Sequence, residues 1–170
     1  ATDAQVSYGL AWAHAEDDFG TIQTTLLAAK GMLGLHLGKD GAIADYVVGL
    51  LRTKEIVAGH LDEVAPDFLN IVKGYLAGLN AYAQHHPKEV FVKKSFPITV
   101  EDVFQAYVLQ LAVMDGADGV IGGLIKGDID HGALIGIGSN AFAFNRKKTA
   151  SDHVMLAVNA HQPLEGSAAW

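Results

Sequence analysis

The spacing of apolar residues in this chain changes across one glycine-rich stretch. Asp115–Gly138 holds eight glycines in 24 residues. Before it, apolar side chains recur at helical spacing; after it, Ser139–Phe144 alternates small and aromatic side chains, as a half-buried strand does. Glycine at this density favours a flexible connector over a packed element. The order of helical part, connector and β part predicts the α+β fold class.

The part before the connector is predicted to be helical. Its clearest helix is Pro66–Gln84, where apolar side chains form one stripe and proline suits the first turn. Weaker helical patterns cover Asp3–Glu16, Asp18–Gly34 and Ala42–Ala58. Thr99 is the expected N-cap of a last helix ending near Met114, with acidic residues in its first turn.

The segment after the connector predicts one antiparallel hairpin. A polar, turn-like stretch follows the alternating strand, and His153–Val158 is then a mostly apolar run, like a strand buried on both faces. Folding the segment about Thr149–Ala150 brings Ser139 to the same end as Asn159 and His161. A hydroxyl nucleophile and an imidazole are therefore expected side by side.

Composition narrows the function classes. The net charge of −7 argues against nucleic-acid binding, which needs a basic surface. The chain contains no run of about 18 apolar residues, so no membrane-spanning helix is predicted. The chain has no cysteine, which excludes disulfides, thiol nucleophiles and cysteine-based zinc sites. Half of the residues are hydrophobic, as expected of a chain that packs on a further partner.

Three separated motifs resemble those of one enzyme family. Gly138-Ser139-Asn140, then Thr149-Ala150-Ser151, an apolar strand and Asn159-Ala160-His161 resemble the pattern of the penicillin acylase family of N-terminal-nucleophile hydrolases. Ser7–Asp18 and Gly74–Tyr82 resemble two motifs from the N-terminal part of that family. The resemblance covers nearly the whole chain, and Ala83–Ile137 is its least diagnostic stretch. Ala141 and Phe142 stand where the family usually has Asn-Trp, and Ala160 stands where proline is common.

The resemblance implies a mostly helical part plus the first β-hairpin of an αββα sandwich. Because family members are far longer, the chain is expected to be part of a precursor. Residues 1–115 would be the helical small-subunit part, residues 116–138 a Gly-rich linker or spacer, and residues 139–170 the start of the large subunit. The rest of the large subunit is the expected protein partner, and the periplasm or the cell exterior is the expected location.

The implied activity is that of an amidohydrolase. It would release an acyl group from an amine-bearing moiety such as a β-lactam nucleus or homoserine lactone, so the substrate partner is a small-molecule acyl amide. Ser139 would be the nucleophile, freed by autocatalytic cleavage of Gly138–Ser139. A serine hydroxyl needs a base, and an N-terminal α-amine with a pKa near ~8 can serve as one.

The other site residues follow from the same resemblance. His161 would orient the amine or hydroxyl of Ser139, Asn159 would support the hairpin end, and Gln162 is assigned to substrate binding. No cofactor is expected for the chemistry, although a structural calcium is compatible with the full protein. Oxyanion-hole donors are expected beyond Trp170, so residues 1–170 alone are expected to be inactive.

Simpler interpretations remain open at several positions. The chain could be a non-enzymatic helical interaction domain with a docking hairpin, and Ser139 a strand-edge serine after a glycine turn. His14–Asp17 contains potential metal ligands, but a structural, buried polar network under the active site is the preferred interpretation. Asp128–His131 also invites a metal hypothesis, although it lacks the residue pattern of a calcium-binding loop. His85-His86 is interpreted as a pair at a helix end.

Overall fold

The computed structural model describes residues 1–114, 116–127 and 139–160. The chain divides into two compact units, Ala1–Val113 and Met114–Trp170, and each is described by itself. The first unit is built from helices, and the second contains a helix and a two-stranded antiparallel sheet. The fold is therefore α+β, as predicted.

Six α-helices and two short 3₁₀ turns form the helical unit. The helices are α1 (Asp3–Ala29), α2 (Gly34–Leu37), α3 (Lys39–Leu51), α4 (Thr53–His60), α5 (Pro66–His85) and α6 (Val100–Met114, whose last residue belongs to the second unit). The 3₁₀ turns are Leu61–Glu63 and Lys93–Ser95. The predicted helix Pro66–Gln84 is confirmed as α5, with proline in its first turn.

The predicted start of the last helix is also confirmed. The Thr99 hydroxyl accepts a hydrogen bond from the backbone N–H of Asp102 at 3.3 Å. The Asp102 carboxylate in turn accepts one from the backbone N–H of Thr99 at 2.9 Å. Each side chain thus satisfies a backbone donor that the first helical turn leaves unpaired.

The two predicted helices Asp3–Glu16 and Asp18–Gly34 correspond to one kinked helix, α1, which ends at Ala29, five residues before the predicted end. Asp18 has non-helical backbone angles (φ −154°, ψ 69°) inside α1. Its carboxylate accepts the backbone N–H of Thr21 at 3.0 Å, and hydrogen bonding to Thr21 lowers the pKa of Asp18. The carboxylate therefore caps the second half of α1, which explains why the sequence pattern restarts there.

The prediction of a single helix over Ala42–Ala58 is wrong. Helix α3 ends at Leu51 and α4 begins at Thr53, because Arg52 adopts the left-handed conformation with φ 53°. Neither glycine nor proline marks this break, so the local sequence carries no signal for it.

The core of the helical unit lies where α1 crosses α5. Its buried side chains are Ala11, Ala15, Phe19 and Leu26 from α1, Val72, Leu76, Leu79, Tyr82 and Ala83 from α5, and Ile98. Two glycines of α5 allow the helix backbones to approach closely. A Cβ added at Gly74 would clash with the carbonyl oxygen of Ala4, and one added at Gly78 would clash with that of Tyr8.

Alanine at Gly78 is expected to destabilise the helical unit. The added methyl meets the backbone of α1, so the two helices must separate, and overpacking of this kind costs about 1–3 kcal/mol. Gly9→Ala is the matched control, since Gly9 is also helical but a Cβ added there would have nothing within 4 Å. That control should be neutral or gain about 0.5–1 kcal/mol. Urea unfolding followed by circular dichroism measures both, and equal midpoints would contradict the close-approach explanation.

The glycine-rich stretch Asp115–Gly138 contains a helix. The prediction that this stretch is a flexible connector is therefore wrong for the residues that form the helix. Helix α7 spans Ala117–Lys126. Apolar residues recur within it at helical spacing, at positions 120, 121, 124 and 125. Gly116 and Gly127 flank it with positive φ, where glycine carries no steric penalty. Residues 128–138 of the predicted linker lie outside the described residues.

The predicted hairpin is confirmed. Strand β1 (Ser139–Phe144) pairs antiparallel with β2 (Met155–Ala160). Its register runs from Ser139 opposite Ala160 to Phe144 opposite Met155, so it is centred on Thr149–Ala150 as predicted. A 3₁₀ turn, Arg146–Lys148, lies in the connection.

The prediction that the second strand is buried on both faces is wrong for this chain. Val154 and Leu156 are each 69% exposed, and Val158 is 66% exposed. All six residues of β1 are exposed as well. A two-stranded sheet has only its own partner strand to pack on, so an apolar run does not by itself produce burial.

Candidate active site

Ser139 is the first residue of β1, and its side chain is exposed. It lies directly opposite Ala160, the last residue of β2. Because directly opposite residues project to the same face, Ser139 shares its face with the pair formed by Ala141 and Val158. The hydroxyl is thus presented at the open end of the ladder, away from the turn.

Asn159 lies at the same end of the hairpin, opposite Asn140. Since side chains alternate along a strand, this pair of amides projects to the face opposite that of Ser139. Asn140 has no assigned role in the sequence-based prediction. The signal that points to it is its pairing with Asn159, and only the register reveals that pairing.

The remaining predicted site residues lie outside the described residues. These are Gly138, His161 and Gln162. The last rung of the ladder ends one residue before His161. The contact between Ser139 and His161, and the substrate-binding role of Gln162, stay predictions.

The two strands hold no ionisable side chain. Every residue of Ser139–Phe144 and Met155–Ala160 is apolar, an asparagine or the serine itself. A base acting on the Ser139 hydroxyl would therefore have to come from outside the strand side chains. The α-amine that cleavage before Ser139 would create is one such base, since it belongs to the same residue.

The connection between the strands is basic and internally hydrogen-bonded. Arg146, Lys147 and Lys148 are consecutive, and the Asn145 side chain accepts the backbone N–H of Lys147 at 3.1 Å. The Thr149 hydroxyl donates to the carbonyl oxygen of His153 at 2.7 Å. These bonds stabilise the connection, at the end of the hairpin away from Ser139.

The prediction that the polar residues around His14 form a buried network is wrong, because these residues are not buried. His14, Glu16 and Asp17 are exposed, because the buried positions of this part of α1 are Ala11, Ala15 and Phe19. Some of these polar groups do pair. The Nδ1 atom of His14 lies 2.8 Å from the hydroxyl of Tyr75, and burial raises the pKa of Tyr75. The Trp12 indole N–H donates a hydrogen bond to the Glu16 carboxylate at 3.0 Å.

The interpretation of His85-His86 as a helix-end pair is confirmed. His85 is the last residue of α5, and His86 is its C-cap. The His86 ring stacks on Tyr82 at 4.0 Å, and its Nδ1 lies 3.1 Å from the Tyr82 carbonyl oxygen. Burial, together with the hydrogen bond to Glu89 and nearby carboxylates, raises the pKa of the Tyr82 phenol.

The described residues contain no group of three or more His, Asp or Glu side chains that could hold a metal ion. The second sequence-based metal hypothesis, Asp128–His131, lies outside them.

An open cavity of about 350 Å³ was not predicted from the sequence. It is lined by Ala15, Glu16, Asp17, Asp18, Phe19, Gly20, Gln23, Glu89 and Phe91.

Within the part of the chain that the structure describes, no helix is long and apolar enough to cross a membrane.

The protein-family model for penicillin amidase matches residues 1–170. The match spans the helical unit and the hairpin, the two regions that carry the three sequence motifs. The chain therefore belongs to the penicillin amidase family, whose members are amide-hydrolysing acylases.

Proposed function

We propose that this chain carries the nucleophile hairpin of an autocatalytically processed acylase, with Ser139 as the nucleophile. Ser139 is exposed at the open end of the hairpin, in the first position of a strand whose residues include no base. Family membership supports the reaction class and favours an enzyme over the non-enzymatic interaction domain. The observation that carries the proposal is the position of Ser139 at the end of the ladder, opposite Ala160.

Maturation would begin with attack of the Ser139 hydroxyl on the carbonyl carbon of Gly138. The C–N bond breaks, the nitrogen becomes the free α-amine of Ser139, and Gly138 is held as an ester. Water then hydrolyses that ester and releases the carboxylate of Gly138. Glycine at this position leaves the carbonyl unhindered.

Catalysis would use the same hydroxyl on a small-molecule acyl amide. The α-amine accepts the hydroxyl proton as oxygen attacks the amide carbonyl, and the proton then passes to the leaving amine as the C–N bond breaks. The resulting acyl ester on Ser139 is hydrolysed by water. His161 would orient the amine or hydroxyl, Asn159 would support the hairpin end, and Gln162 would contact the substrate.

The substrate class we propose is an acyl group on an amine-bearing nucleus, either a β-lactam nucleus or homoserine lactone. The oxyanion that forms in each step needs preorganised hydrogen-bond donors. We place those donors, and any structural calcium, in the remainder of a large subunit that packs on the hairpin. The proposed location is the periplasm or the cell exterior.

The test is the mature N-terminus of the purified protein together with its hydrolytic activity. Mass spectrometry should find a chain that starts at Ser139. The cleaved protein should release free amine from a penicillin or from an acyl-homoserine lactone. A protein that hydrolyses neither, or one that is active with the Gly138–Ser139 bond intact, would contradict the proposal.

A further inference from the structure

The two faces of the hairpin differ in the kind of apolar side chain that they carry. Directly opposite residues share a face, and successive residues of a strand alternate between faces. Beside the hydroxyl, the Ser139 face carries aliphatic side chains from both strands: Ala141, Ala143, Leu156 and Val158. The other face includes Phe142, Phe144 and Met155. Within the two strands, aromatic rings and methionine are thus confined to the face away from the hydroxyl.

The Ser139 face is also uneven in height. Ala141 lies opposite Val158, and Ala143 lies opposite Leu156, and all four side chains are exposed. Because alanine rises less above the sheet than valine or leucine, the β1 side of this face forms a shallow trough with the two branched side chains along one edge. Same-face positions on one strand lie about 6.6–6.8 Å apart. The trough therefore begins at Ser139 and runs roughly 13 Å to Ala143.

Access to the hydroxyl decides which face takes the substrate. An acyl amide and then water must reach a nucleophile, so a protein partner that covered the Ser139 hydroxyl would prevent the reaction. The face with Phe142, Phe144 and Met155 is the better surface for a protein partner, since aromatic residues and methionine are enriched where proteins pack on each other. The Ser139 face offers aliphatic contact along the trough and no ring to pair with an aromatic acyl group.

We propose that the acyl group of the substrate is an unbranched aliphatic chain that lies in this trough, and that Ala141 determines the chain length accepted. This inference rests on the proposed function. In the acyl ester the carbonyl carbon is bonded to the Ser139 oxygen, and the chain continues over Ala141 towards Ala143. A methylene that contacts the trough on one side contributes about twofold to affinity, since full burial contributes about fourfold.

The chain-length profile of the full-length protein, as purified, tests the proposal. The substrates are the acetyl, octanoyl, dodecanoyl and phenylacetyl amides of homoserine lactone, compared by kcat/KM. Extended from the Ser139 oxygen, the acetyl group stops short of Ala141, the octanoyl chain passes Ala141, and the dodecanoyl chain also passes Ala143. The value of kcat/KM should rise from acetyl to dodecanoyl, and octanoyl should exceed phenylacetyl. A preference for phenylacetyl over octanoyl would overturn the proposal.

Ala141→Leu fills the trough next to Ser139. It should lower kcat/KM about tenfold for the octanoyl and dodecanoyl amides and less than about twofold for the acetyl amide. The matched control is Ala143→Leu, the same substitution on the same face and strand, which should lower kcat/KM for the dodecanoyl amide alone. If Ala141→Leu does not accumulate as folded protein, Ala141→Val is read in the same way. Equal losses at every chain length, or an unchanged profile, would contradict the role of Ala141.

Binding of free fatty acids distinguishes failure of this inference from failure of the proposed function. Isothermal titration calorimetry with octanoate needs no turnover. Ala141→Leu should weaken octanoate binding about tenfold, whereas Ala143→Leu should leave it unchanged. If the protein is cleaved and hydrolyses acyl amides but octanoate binding is the same in both variants, the trough proposal is wrong and the proposed function stands. If the binding shift is found without any hydrolysis, the trough is an acyl-chain site and the proposed role of Ser139 is wrong.

Discussion

Ser139→Ala is expected to leave the Gly138–Ser139 bond uncut and to abolish amide hydrolysis. The substitution removes the oxygen that attacks in both reactions, and no other residue of the two strands carries a hydroxyl. Loss of a serine nucleophile typically lowers kcat by about 10⁴–10⁶-fold. Intact mass spectrometry of the purified protein measures cleavage, and a fluorogenic acyl-amide assay measures turnover.

Two matched variants make the result specific. Ser139→Cys is expected to be cut, because a thiol can make the same attack on the Gly138 carbonyl. Ser151→Ala removes an exposed hydroxyl from the connection between the strands and should mature and turn over like the parent protein. An alanine variant at position 139 that matures normally would show that a separate protease makes the cut.

The second large effect is expected from one buried ion pair in the helical unit. The ammonium group of Lys30 lies 2.7 Å from the carboxylate of Asp102 and also donates to the carbonyl oxygen of Ser95 at 3.0 Å. The two charged side chains are only 16% and 11% exposed. Lys30 caps the end of α1, and Asp102 lies in the first turn of α6, so the pair joins two helices that are distant in sequence.

Lys30→Met is expected to destabilise the helical unit by about 3–5 kcal/mol, because it leaves the Asp102 carboxylate buried without its counter-charge. The control is Arg52→Gln, which breaks the exposed pair with Glu55 (71% and 58% exposed) and should change stability by less than about 1 kcal/mol. Urea unfolding at neutral pH measures both.

The double variant Lys30→Met/Asp102→Leu separates the cost of an unpaired charge from the cost of lost packing. With no charge left in the site, it should be more stable than Lys30→Met, although it also loses the hydrogen bond that Asp102 accepts from the Thr99 backbone. If Lys30→Met proves as mild as Arg52→Gln, then the Asp102 charge is solvated in solution and the pair contributes little.

Local signals in the sequence were sufficient for most of the individual elements. The apolar stripe and proline of α5, the cap formed by Thr99 and the restart of the helical pattern at Asp18 each depend on residues within one or two turns. The hairpin centre at Thr149–Ala150 is also local, since the polar connection separates two strand patterns. Such features can be predicted because the interacting groups are close in the chain.

Prediction from the local sequence failed at two places. One is Arg52, whose backbone conformation ends a helix, and the other is the glycine-rich stretch, whose glycine content suggested a connector. The left-handed conformation of Arg52 divides one predicted helix into two, although arginine has no preference for it. The glycines of residues 116–127 suggested a connector, but a short helix forms there.

By itself, the sequence determined the fold class, the family motifs and the position of Ser139 at the start of a strand. The tertiary structure decided which distant groups meet: Gly78 against the backbone of Tyr8, Lys30 against Asp102, and Asn140 opposite Asn159. The physical reason is that helical periodicity and capping act over a few residues, whereas close helix crossings, buried charge pairs and strand register depend on groups far apart in the chain. Their energies arise only when the backbone brings those groups together.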